Sequence, residues 1–78
     1  MRLFMDEKKE KIRAKTKSEL AVLYNKNVSI DTAVRILRRW ISQDPNLLKA
    51  LIENNYKKHS HLLTPKQVGL IYQYLGEP

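Results

Sequence analysis

A chain of 78 residues holds one hydrophobic core, because folding at this length buries only about 60% of the surface that the unfolded chain exposes. Cysteine is absent, which excludes disulfides, thiolate metal sites and thiol nucleophiles and fits a cytoplasmic location. No run approaches the ~20 apolar residues of a membrane span, and the opening MRLFMDEKKEKIRAK has too short an apolar stretch for a secretory signal, so we expect a soluble protein without a membrane partner.

Fifteen Lys and Arg against eight Asp and Glu give a net charge of +7, and the excess is uneven. Arg2, Lys8, Lys9, Lys11, Arg13, Lys15 and Lys17 outweigh Asp6, Glu7 and Glu10 at the N-terminus, whereas residues 18–44 are close to neutral. A basic arm over residues 1–15, helical or disordered, ahead of a helical domain over 16–78, is the division this implies. Such an arm either adds phosphate affinity through counterion release or serves as a solvated tail.

Thr16-Lys17-Ser18-Glu19 has the form of a capping box and predicts a helix start. Leu20, Leu23 and Tyr24 share one face of that helix, Ala21 is small enough for close approach by a neighbour, and Asn25-Lys26-Asn27 predicts its end. Ser29 then caps a second helix, whose Ala33, Ile36, Leu37, Trp40 and Ile41 keep the 3.6 period for two turns. Trp40, at that spacing, reads as a core anchor. Asp44-Pro45 ends this helix and opens a third, with Leu47, Leu48, Leu51 and Ile52 as its buried stripe and Asn54-Asn55 as its stop. The polar stretch Tyr56 to His61 reads as an ordered surface loop, with room for a short extended piece and too little length for two paired strands. Thr64-Pro65-Lys66-Gln67 repeats the capping logic for a last helix with Val68, Ile71, Tyr72 and Leu75 buried, Tyr74 off the stripe, and Gly76 as C-terminal cap. The fold class is therefore all-α: a compact four-helix single domain with a basic N-terminal arm.

Leu20-Ala21 on the first helix and Val28-Ser29-Ile30-Asp31-Thr32-Ala33-Val34-Arg35-Ile36-Leu37 on the second resemble the bacterial helix-turn-helix pattern, over residues 17–42. Val28 plugs the turn in this reading, Ala33 and Ile36 face inward, and Ile30, Asp31, Val34, Arg35 and Arg38 face outward. The resemblance implies a second helix set in the DNA major groove, where Arg makes bidentate contacts to guanine. The DNA-contact candidates are Arg35, Arg38 and Arg39 on that helix, Lys26 and Ser29 beside phosphate, and Lys11, Arg13 and Lys15 from the arm. The turn is about two residues longer than the usual single-glycine version, and Asp31 is repelled by phosphate although it could accept from cytosine N4. The ending L-L-T-P-K-Q-V-x-x-I-x-x-x-L-G-E-P resembles a family of small uncharacterised bacterial proteins from mobile-element and phage neighbourhoods, which implies a short helical protein and transfers no catalytic residue.

His59 and His61 flank Ser60 beside Lys57 and Lys58, without the further ligands zinc needs or the orienting group and oxyanion hole a nucleophile needs. They read as polar surface, and Arg38-Arg39 reads as a solvated face or a phosphate contact. With glycine confined to Gly69 and Gly76, no phosphate-cradling loop is present. We therefore expect no cofactor, no metal and no enzyme activity. The sequence favours a DNA-binding protein, regulatory or mobile-element associated, that works as a homodimer or with a partner protein. The alternative is a protein-interaction adaptor in which the helix pair is only a scaffold.

Overall fold

The computed structural model describes residues 12–78, so Lys11 and the rest of the arm before it lie outside the described residues. Its elements, in order, are β1 (Lys15–Thr16), α1 (Lys17–Tyr24), α2 (Ile30–Gln43), α3 (Pro45–Glu53), β2 (Leu62–Leu63) and α4 (Pro65–Leu75). The fold is all-α in character, a single domain of four helices with one minimal two-stranded sheet among the described residues.

Each helix begins where its side chains can satisfy the free amides of a first turn. At α1 the Thr16 hydroxyl accepts from the Glu19 amide at 3.0 Å while the Glu19 carboxylate accepts from the Thr16 amide at 2.9 Å. The Glu19 carboxyl is held below its ordinary range, first by that backbone donor. Ser29 accepts from the Thr32 amide, and Asp44 Oδ1 from the Leu47 amide ahead of Pro45 at the start of α3. At α4 the reciprocal box joins Thr64 and Gln67. Gln67 goes further: it is buried, and its Nε2 donates to the Asn54 carbonyl at 2.8 Å, which ties the start of α4 to the end of α3. Asn55 takes a positive φ of 69° at that end, a conformation Asn tolerates better than most residues.

The core is assembled from every helix: Leu20 and Ala21 of α1, Ala33, Leu37 and Ile41 of α2, Leu47 and Leu51 of α3, and Val68, Ile71 and Tyr72 of α4, with Tyr56 and Leu63. Ala21 and Ala33 are both fully buried, as expected where two backbones approach closely. Trp40 is half-buried and meets the edge of Tyr24, with centroids 5.8 Å apart at 88°, a favourable aromatic arrangement. The Tyr24 hydroxyl donates to the Gly76 carbonyl, so α1 also anchors the chain beyond α4.

Three expectations are corrected. Val28 does not plug the α1–α2 turn but is 43% exposed; the turn is closed by backbone bonds from the Asn25 amide to the Ala21 and Val22 carbonyls, which need no apolar stopper. Ile52, expected in the α3 stripe, is 57% exposed, because Leu47 and Leu51 already fill the side of α3 that meets the core. Val34 and Arg38, expected to point outward, are half-buried. A two-helix view omits Tyr56 and the segment after it, which close over that side of α2. Just after the loop, Leu62–Leu63 pair as a strand, through Lys15↔Leu63 and Thr16↔Leu62 in antiparallel register. Their partner comes from the far end of the chain, which places Lys15 within the folded domain.

Replacing Gln67 by Ala removes half of a capping box and leaves the Asn54 carbonyl without its donor. Urea denaturation should show a loss of about 1–3 kcal/mol, and an unchanged midpoint would refute the linking role given to Gln67.

Candidate nucleic-acid interface

Lys17, the first residue of α1, was counted with the basic arm by charge alone. In the fold only 3% of it is exposed. Its backbone amide donates to the His61 carbonyl at 2.7 Å, continuing the strand register. Its Nζ donates to the Lys58 carbonyl at 2.8 Å and stands 4.7 Å from the centroid of the Tyr56 ring, a cation–π contact. Burial, assisted by the neighbouring Arg38, lowers its amine from 10.5 to about 8. Tyr56, the first residue of the stretch read as a surface loop, is buried against this ammonium, and burial raises its phenol.

Around this anchor Arg35 and Arg38 meet His61. Lys17, Arg35, Arg38 and His61 line one cleft of about 410 Å³, together with Ser18, Asp31 and Val34. Arg35 is exposed, whereas Arg38 lies half-buried and its Nε is buried without a hydrogen-bond partner. Ser18 also lines a neighbouring hollow with Arg13, Lys15, Glu19, Val22, Leu23 and Ile30. The two hollows therefore adjoin along the start of α1, and four candidate cations, Arg13, Lys15, Arg35 and Arg38, border them.

The other candidates are placed differently. Lys26 lies exposed in the α1–α2 turn and Arg39 is exposed on α2, and neither lines these hollows. The Ser29 hydroxyl is occupied by capping, since it accepts from the Thr32 amide and donates to the Thr32 hydroxyl at 2.9 Å. Lys11 lies outside the described residues. His59 is exposed, and His61 is exposed at the cleft edge. Among the described residues no group of three or more His, Cys, Asp or Glu is arranged to hold a metal, and no helix is long and apolar enough to cross a membrane. What sequence reasoning missed is Lys17: its position at N1 of a capped helix was legible, but its burial depends on residues 56–61.

The buried amine gives a pH signature. In the unfolded chain Lys17 titrates near 10.5 and in the folded protein near 8, so between these values the unfolded state binds more protons and stability rises with pH. The raised phenols act oppositely above 10.0, where the unfolded chain ionises while Tyr24, pushed up to about 12, keeps its proton. Urea midpoints should climb from about pH 8 towards pH 10 and fall beyond it. Lys17→Met should abolish the climb; a climb of the same size in that variant would show that another group is responsible.

Residues 11–78 match the family described as a domain of unknown function, DUF4248. No curated protein and no solved structure matches the chain. Since the match takes in every element from β1 to α4, the chain belongs to the DUF4248 family.

Proposed function

We propose that this protein binds duplex DNA through α2 and the cationic cleft beside it. One observation carries the reading: Arg35 and Arg38 line a cleft that adjoins, through Ser18, the hollow bordered by Arg13 and Lys15. Cations spread along one face can neutralise successive phosphates and release their counterions, which favours association regardless of base sequence. Arg35, exposed in the middle of α2, is the residue best placed for a base edge or a second phosphate. Asp31, in the first turn of α2, is stabilised by the helix dipole and tempers this attraction. A module of this size covers little DNA, so useful affinity calls for a dimer or a partner protein.

The adaptor reading keeps one supporting observation. Leu23, Val28 and Ile30 are all exposed near the α1–α2 turn, and Ile30 is 58% exposed. Apolar side chains there suit a protein surface better than a phosphate backbone.

Fluorescence anisotropy with random duplex DNA across a salt series separates the two. We expect micromolar binding that weakens with salt, and a salt slope reduced by about 2 in Arg35→Ala/Arg38→Ala and again in Arg13→Gln/Lys15→Gln. Absence of binding at low salt overturns the DNA reading and leaves the adaptor.

A further inference from the structure

Arg38 also lines a second concavity, which shares no other lining residue with the cleft just described. It measures about 360 Å³ and is lined by Ile41 of α2, Leu48 and Ile52 of α3, and Tyr56, with Arg38, Ser42 and Lys58 completing the lining. The volume is at the lower end of small-ligand sites and small for a helix or strand of a partner. Its chemistry is divided. Ile41 and Tyr56 are buried and Leu48 half-buried, so they form an apolar floor. Ile52 stands exposed at the side, which leaves apolar surface that no residue of this chain covers.

The polar residues of the lining carry one sign of charge. Arg38 and Lys58 are cationic, Ser42 is neutral, and no carboxylate lines the pocket among the described residues. Just beneath, the Lys17 ammonium sits over the Tyr56 ring, adding a third cation close to the same wall. Arg38 Nε–H is buried and has no acceptor, and a guanidinium cannot relieve that by losing its proton. A carboxylate answers the excess positive charge of Arg38 and Lys58, and it can accept from a guanidinium through two oxygens.

We infer that this pocket binds a small amphipathic carboxylate, with its apolar body on Ile41, Leu48, Ile52 and Tyr56 and its carboxylate between Arg38 and Lys58. The assignment does not rest on the DNA reading, since Ile52 and Lys58 lie outside the nucleic-acid cleft. The body buries surface that is now wet, and the head meets the positive charge of Arg38 and Lys58. A cationic ligand of the same shape gains only the first of these.

The test is an amide-shift titration of the full chain with octanoate and, separately, with octylamine, two probes that share a tail and differ in head charge. Octanoate should shift Ile41, Ser42, Leu48, Ile52 and Tyr56 as one saturable set, and octylamine should bind about tenfold more weakly or worse. Ile52→Asp, at an exposed position, should abolish octanoate binding. Lys58→Gln, which keeps the backbone carbonyl that Lys17 uses, should weaken octanoate and leave octylamine unchanged. Arg38→Gln should weaken octanoate most. Equal affinity for the two probes, shifts scattered outside the pocket, an unaffected Ile52→Asp, or no saturable shifts at millimolar octanoate would each overturn the assignment.

Discussion

The buried ammonium of Lys17 is the contact on which the proposed DNA-binding face depends. A charge removed from water survives only when its donors are met and its field is answered. Here the answer is a carbonyl, Lys58 O, and the face of an aromatic ring, Tyr56. Neither is an anion, so the positive charge is held in place without being cancelled, and the amine falls to about 8. Meeting these two partners draws residues 56–61 back across the start of α1. That fold-back sets Leu62–Leu63 against Lys15–Thr16, closes over the flank of α2 and brings Lys17 beside Arg38.

Arg38 then becomes the shared wall of two concavities. On one side it joins Arg35 and His61, and on the other an apolar floor with Lys58. Coulombic effects at such short range do not stop at the wall. An anion near Arg38 in one concavity would therefore weaken the positive field in the other.

Much of the fold was legible in the sequence because its punctuation is local. Thr16, Ser29, Asp44 and Thr64 each announce a helix within four residues, and each caps the helix it announces. The core stripes of α2 and α4 follow from period alone, through Ala33, Leu37, Ile41 and through Val68, Ile71, Tyr72. What escaped depends on residues distant in sequence. The strand pair joins Thr16 to Leu62, the Lys17 bond reaches Lys58, and Arg38 shares a pocket lining with Tyr56. A lysine in a basic run offers no local sign that it will be buried, and an arginine on a helix face offers none that a later loop will cover its Nε. Arg35 and Arg38 could be proposed as contacts from the pattern of α2, whereas their convergence with Lys17 and His61 could not.

The most direct test of the central claim is an amide chemical-shift map of the full chain against a short DNA duplex at low salt, read residue by residue. The account predicts that the shifts concentrate on Arg13 to Ser18 and on Asp31, Arg35, Arg38 and His61, with Tyr74 to Gly76 silent. Shifts centred on Leu23, Val28 and Ile30 alone, or on the end of α4, with Arg35 and Arg38 unmoved, would contradict it.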